Sequence, residues 1–201
     1  MNCLAVDTSG NHLTVVLLKD KQLYKKHLDN ALLKHSVTLM PQIEQILGEA
    51  ELSISDIDVF GASVGPGSFT GIRIGVSTIK ALAFANGKKV FGVTSFESLA
   101  YNSDVNKILA VIDAKHSNFY VCGFEKGQVI IEPKFISLEE LKNLVDGYQV
   151  VADCDLDIPF IKGDYVKGFI KAVEKGVQKA SSDVELLIPL YVKKSQAEEE
   201  R

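Results

Sequence analysis

Three short stretches carry residue types that chemistry could use. Asp7-Thr8-Ser9 closes an apolar run, Leu4-Ala-Val6. An Asp in that place can hold a metal–water cluster while Thr8 and Ser9 contact phosphate. The same residues also make an Asx or ST turn that stabilises a hairpin, and that is the reading they favour. The second stretch is Gly65-Pro-Gly-Ser-Phe-Thr-Gly71. Gly65, Gly67 and Gly71 permit tight turning and leave peptide N–H groups uncovered, so the loop, with Ser68, could cradle a phosphate at a helix N-terminus. No Lys-Ser/Thr follows the last glycine, so it is not a P-loop. In the alternative, Ser68 or Thr70 caps the helix and the glycines serve close packing. The third stretch, Asp113-Ala-Lys-His116, brings an acid and a basic pair toward Asp7 if two lobes face each other, and otherwise is a solvated turn.

The rest of the inventory is poor in catalytic groups. The histidines are His12, His27, His35 and His116, with no HxxxH or HExxH pattern, so no zinc ligand set and no metal site are expected. Cys3, Cys122 and Cys154 are odd in number and far apart, which argues against a disulfide framework and fits a reducing, cytoplasmic setting. Ser68 lacks the GxSxG elbow. His35-Ser36 cannot act as a base–nucleophile pair, because helical neighbours point about 100° apart. No catalytic residue is assigned.

The elements that would position these groups follow from periodicity. Cys3–Asp7, Leu13–Lys19 and Gln22–His27 read as three strands joined by turns at Ser9-Gly10-Asn11 and Asp20-Lys21. Asn30–Glu49 has helical spacing with a wide apolar stripe that Pro41 should bend or loosen. Ile57–Val64 is a buried strand, Thr70–Asn86 a helix with Asn86-Gly87 as its C-cap, and Lys89–Val93 another strand. Ile108–Asp113 then echoes Leu4–Asp7, with strands Phe119–Phe124 and Gln128–Phe135 after it. A capping box at Ser137-Leu-Glu-Glu140 opens a helix through Val145, and a last helix runs from about Tyr165 to Lys179. This repetition suggests two related lobes, 1–103 and a smaller 104–201. Hydrophobic residues are 46% and charged residues 24% of the 201, ordinary for a soluble globular protein. The net charge of −4 lacks the bulk positive field of direct nucleic-acid binders. The N-terminus reads as a strand and not as a signal peptide, and no apolar run reaches the roughly 18 residues of a membrane span.

The helix Thr70–Asn86 is apolar all round, with Arg73 and Lys80 its only charges. Such a helix is buried in its own domain or covered by a partner, and a chain this short has little to cover it and the 30–49 helix together. A partner surface is therefore expected over Leu32, His35, Leu39, Met40, Ile43, Thr70, Gly71, Ile72, Arg73, Gly75, Val76, Ile79 and Leu82. Gly71, Gly75 and Thr78 would form a smooth strip for another helix.

Leu4-Ala-Val-Asp-Thr-Ser9, His35-Ser-Val-Thr-Leu-Met-Pro41, Gly65-Pro-Gly-Ser-Phe-Thr-Gly-Ile-Arg-Ile-Gly75, Val93–Ala100, Val111–His116 and Pro189–Ser195 together resemble the TsaB (YeaZ) family of the bacterial tRNA threonylcarbamoyladenosine pathway. The resemblance implies an α/β, actin-like and Hsp70-like ATPase fold of two lobes, each a mixed sheet flanked by helices. It implies a non-catalytic partner of the larger homologue TsaD, which modifies adenosine 37 of tRNAs reading ANN codons, with the ATPase TsaE joining the assembly. The helices near 31–48 and 70–86 would pair with their TsaD equivalents as a four-helix bundle, or with a second copy when TsaD is absent. Contact with tRNA would be indirect. The HxxxH metal pair of TsaD aligns with Ser95 and Leu99 here, so ATP or ADP and a metal are expected in the partner or at the interface. Two rivals remain: an ATP-dependent phosphotransferase or ATPase working through Asp7, the glycine loop and Asp113, and a purely homodimeric binding module. The glycoprotease label attached to the superfamily finds no ligands here.

Overall fold

The computed structural model describes residues 1–20, 22–31 and 33–193. β1 (Asn2–Asp7) is buried almost end to end and sits at the centre of the first sheet. It pairs antiparallel with β2 (Leu13–Lys19) and parallel with β4 (Val59–Gly65). β3 (Gln22–Leu28) and β5 (Lys89–Thr94) complete the order β3-β2-β1-β4-β5. A strand with neighbours on both edges and covered faces must be apolar throughout, and β1 and β4 are. β6 (Lys107–Asp113), β7 (Asn118–Glu125), β8 (Gln128–Ser137), β9 (Gln149–Ala152) and β10 (Ile161–Lys162) form a second sheet, order β10-β9-β6-β7-β8. Each sheet is an antiparallel three-strand meander whose first strand pairs parallel with a fourth strand, which pairs parallel with a fifth. The chain thus builds one topology twice, the actin-like arrangement of two mixed sheets expected from sequence.

The helices layer these sheets. α1 (His35–Glu49) and α2 (Phe69–Asn86) cover the outer face of the first sheet, where Leu39, Ile43, Ile46, Ile72, Val76 and Ile79 meet Leu4, Val6, Phe60 and Ala62. α3 (Ser95–Ala100) and α5 (Tyr165–Gly176) fill the space between the sheets. α5 puts Phe169, Ala172 and Val173 on Cys3, Ala5, Phe91 and Val93, while α3 puts Phe96 and Leu99 on Ile108, Ala110 and Phe124. A Cβ at Gly168 would overlap the Ser98 carbonyl, so glycine is required for α5 to cross α3 so closely. α4 (Leu138–Leu144) lies against the far side of the second sheet. After α5 the chain returns to the first sheet: Ser181 bridges Val90, Leu187 enters the outer core, and the Leu190 N–H donates to the Val64 carbonyl at 2.7 Å.

Most strand limits follow the hydrophobic pattern to within two residues. α1 starts later than the 30–49 expected, because Asn30 takes a positive φ and the Ala31 N–H donates to the Asn11 carbonyl. α1 continues through Pro41. Gly87 caps α2 in the left-handed conformation, as read from Asn86-Gly87. α3, β9 and β10 were not read from the pattern. For α3 a signal was present: Thr94 and Glu97 form a reciprocal capping box.

Candidate functional site

The turn after β1 and the start of α2 meet at the bottom of a cleft between the two sheets. Asp7 is fully buried. Its Oδ1 accepts from the Ser9 N–H at 2.9 Å and the Ser9 hydroxyl at 2.7 Å, and its Oδ2 lies 3.2 Å from His12 Nε2. Burial pushes the carboxyl up, but the charge of His12 and the hydrogen bonds from His12 and Ser9 prevail and hold it below its ordinary value. His12 is the mirror case. Burial lowers it, yet Asp7, Asp29 and Asp153 outweigh that and leave it raised. Asp7 is thus the anchor of an Asx turn and an ion pair, the turn reading that the sequence favoured.

The glycine loop packs on that turn. A Cβ on Gly67 would overlap the Ser9 carbonyl, one on Gly71 the Thr8 carbonyl, and one on Gly75 the Thr8 hydroxyl. Thr8 Oγ1 donates to the Gly71 carbonyl at 2.7 Å, and the Ser68 N–H donates to the Ser9 carbonyl at 2.6 Å. Ser68 is the N-cap of α2, its hydroxyl accepting from the Gly71 N–H at 3.2 Å. The Gly65–Pro66 peptide is cis. The strip Gly67, Gly71, Gly75 therefore receives the Thr8-Ser9 turn, its backbone at Gly67 and Gly71 and the Thr8 side chain at Gly75, and not another helix. The N–H groups of Ser68 and Gly71 already have acceptors inside the chain.

The cleft has a volume of about 640 Å³ and brings together Ser9, His12, Gly67, Ser68, Asp113, Lys115, Asp153, Cys154 and Tyr165. Asp113 does face the first-sheet turn across the cleft. Its oxygens accept from the Lys115 N–H at 2.8 Å and Lys115 Nζ at 2.6 Å. Burial raises it, and those Lys115 hydrogen bonds bring it below its ordinary value. Two cleft residues went unread in the sequence. Asp153 follows β9, accepts from the Asp113 N–H at 2.9 Å and the Tyr165 hydroxyl at 3.2 Å, and is pushed up by burial. The Tyr165 ring lies 5.0 Å from that of His12, so the first turn of α5 stoppers the cleft between Asp7 and Asp153. The cleft wall opposite the glycine loop presents two carboxylates, Asp113 and Asp153, and Lys115 is paired with the first of them.

Among the described residues no three His, Cys, Asp or Glu side chains converge. Ser95 and Leu99 share one buried face of α3: the Ser95 hydroxyl donates to Ser9 Oγ at 3.2 Å and Leu99 is core. Cys3 and Cys122 are buried, with thiols raised to about 12 by burial, and Cys154 is raised to about 11.

The helix face expected to meet a partner divides in two. Leu39, Ile43, Ile72, Gly71, Gly75, Val76 and Ile79 are buried against the first sheet and Leu82 packs on that core, so they are not a free surface. His35 is buried as well. Its Nε2 donates to the His12 carbonyl at 2.9 Å, while Nδ1 has no partner among the described residues. The reason is geometric: α1 and α2 both need an inner stripe for the sheet. Leu32 lies outside the described residues. Met40, Thr70 and Arg73 are exposed, and with Leu33, Val37, Phe69 and Phe84 they form the outer face. A groove of about 550 Å³ runs there between Ser36 of α1 and Phe69, Thr70, Arg73 and Ser77 of α2. The Arg73 guanidinium lies 3.8 Å from the Phe69 ring centroid and its Nε donates to the Tyr191 hydroxyl at 2.9 Å.

No helix among the described residues is long and apolar enough to cross a membrane. A family model described as TsaD, tRNA N6-adenosine threonylcarbamoyltransferase, matches residues 29–162, more than half of the chain. The tRNA threonylcarbamoyladenosine biosynthesis protein TsaB of Bacillus subtilis is 26% identical over 98% of this chain and 96% of its own length. The protein of that name from Escherichia coli is 28% identical over 64% of this chain and 57% of its own length. The solved structure of YeaZ from Pseudomonas aeruginosa superposes with a TM-score of 0.77 at 21% identity, over 94% of this chain and 99% of that one. The chain therefore belongs to the TsaD family, on the branch of its TsaB (YeaZ) relatives.

Proposed function

We propose that this chain is a non-catalytic subunit in the synthesis of N6-threonylcarbamoyladenosine in tRNA, acting by pairing with TsaD. The observation that carries the reading is the outer face of α1 and α2. Val37 is 68% exposed and Phe84 77%, with Met40 and Phe69 also open, on helices whose inner stripes already serve the core, and Leu33 in the turn before α1 is 95% exposed. Clustered exposed apolar side chains of this kind mark a protein interface. A partner burying about 800 Å² on each side gains a specific complex there. The same face suits a second copy under two-fold symmetry when TsaD is absent, and TsaE would join the heterodimer. The cleft supports the reading from the other side: the Ser68 and Gly71 amides of its loop have acceptors inside the chain, and serine and leucine stand where TsaD has histidines. ATP or ADP and any metal therefore belong to the partner or to the shared boundary.

Reconstitution tests this directly. Purified TsaD and TsaE, with the enzyme that supplies the threonylcarbamoyl donor, should modify an ANN-decoding tRNA only when this chain is added. Equal modification without it overturns the proposal. Nucleotide turnover by the isolated chain, lost on Asp7→Ala, would instead favour an independent ATPase.

A further inference from the structure

The chain as a whole carries a net charge of −4, yet α5 and the turn after it, Tyr165 to Lys179, hold four lysines and one glutamate. Lys167, Lys171 and Lys175 follow one another at intervals of four residues, about 6 Å apart along the helix. Like charges at that spacing repel and weaken a helix, and the usual remedy, a Glu four residues before each Lys, is missing. The opposite face of α5 is fixed in the core through Phe169, Ala172 and Val173, so the lysines are held on the outside of a rigid element.

Two grooves flank this ridge and share Lys171 and Glu174. One, of about 500 Å³, adds Lys25 and His27 of β3; the other, of about 430 Å³, adds Tyr101 and Lys126. Among the described residues Lys25, Lys126 and Lys167 have no carboxylate within ion-pair distance. Lys171 pairs loosely with the exposed Asp104 at 3.7 Å, and Lys175 lies 3.9 Å over the Tyr101 ring. Asp164, which lines the same groove as Lys167, uses its carboxylate to cap α5 by accepting from the Lys167 N–H at 2.9 Å. The ridge is a line of ammonium groups with few local counter-charges.

We propose that the α5 ridge is a contact surface for the phosphodiester backbone of RNA. A row of flexible lysines without a base-reading cleft matches a repeated, sequence-independent charge. Choosing RNA over an acidic protein rests on the proposed role in tRNA modification. The direct contact revises the expectation that contact with tRNA is indirect. The ridge and the outer face of α1 and α2 lie on opposite sides of the first sheet, so RNA and TsaD can be held at once.

The test is fluorescence anisotropy of a labelled tRNA transcript titrated with the full chain, alone and in complex with TsaD, between 50 and about 200 mM salt. The triple variant Lys167→Gln, Lys171→Gln, Lys175→Gln should weaken binding at least about tenfold and flatten the salt dependence by roughly two to three phosphate contacts. The control Lys88→Gln, Lys134→Gln, Lys142→Gln should match wild type. Unchanged binding by the ridge variant, equal loss in the control, or competition by polyglutamate as effective as by RNA each overturns the inference. Retention of TsaD by the ridge variant separates the two proposals. If wild type fails to hold TsaD, the functional reading falls; if only the RNA result fails, this one does.

Discussion

Gly71 lies so close to Thr8 that a side chain at position 71 would occupy the place of the Thr8 carbonyl oxygen. The two residues are tied again by the Thr8 hydroxyl, which donates to the Gly71 carbonyl at 2.7 Å. This contact accounts for the glycine spacing, because Gly67 and Gly71 face the Thr8-Ser9 backbone and Gly75 faces the Thr8 side chain. Gly71→Ala should therefore destabilise by about 3 kcal/mol or prevent folding, since backbone on both sides cannot give way. Gly48→Ala, at an exposed α1 position with nothing within 4 Å, should stabilise by about 0.5–1 kcal/mol. Urea midpoints of the two variants check this; equal effects would refute the packing account.

How far the sequence could be read depends on the range of the force involved. Strand and helix positions were legible because β1, β2 and β4 are short apolar runs bounded by turn residues, while the apolar run of α2 is too long for a strand and closes on a glycine cap. The turn character of Asp7-Thr8-Ser9 was legible because an Asx turn is local. What covers Gly71 was not, since Thr8 is 63 residues away. The division of α2 into an inner stripe through Ile72, Val76 and Ile79 and an outer one through Phe69 and Arg73 was hidden for a related reason. An all-apolar helix has no polar face to betray which side meets the sheet. Asp153 and Tyr165 carry no motif, and they join the cleft only because β9 and α5 are brought beside β6 and β1.

Asp7 and His12 make stability depend on pH at both ends. His12 is raised above its ordinary 6.5 in the folded state, so its contribution is fully present below 6.5 and is lost as pH rises through the folded value. Asp7 is lowered below 3.8, so its contribution is present above 3.8 and disappears as pH falls through the folded value. Chemical denaturation of wild type should show a decline as pH rises above 6.5 that His12→Gln lacks. The variant should also lose about 3 kcal/mol near pH 6, because a buried carboxylate is left with only its Ser9 bonds. An identical pH profile in the two proteins would show that the pair does not govern it.

Asp153 behaves in the opposite sense to Asp7. Its folded-state affinity for a proton is raised, chiefly by burial, so ionising it at neutral pH works against folding. The stability it gives is present below 3.8 and lost as pH rises through its folded value. Asp153→Asn keeps an acceptor for the Asp113 N–H and removes the buried charge. The variant should be as stable as wild type at pH 7 or better by up to about 1 kcal/mol, and the difference should shrink below pH 4. A loss of more than about 1 kcal/mol at pH 7 would mean that the carboxylate is held by more than its Asp113 and Tyr165 contacts.

The two stripes of α2 make separable predictions. Phe69 is 41% exposed and Val37, on α1, 68%, so Val37→Glu and Phe69→Glu place their charges in water. Each should change stability by no more than about 0.5 kcal/mol, or roughly 1–2 °C in melting temperature. Each should also weaken pairing with TsaD by at least about tenfold, because a carboxylate buried at an apolar interface has no partner. Ile79 is fully buried, and Ile79→Glu puts the same charge into the chain's own core. It should cost more than about 4 kcal/mol and lose pairing by losing the fold. Melting curves beside co-elution with TsaD distinguish the cases. A folded Phe69→Glu and a folded Val37→Glu that both still co-elute as wild type would remove the outer face from the proposed interface, whatever Ile79→Glu does.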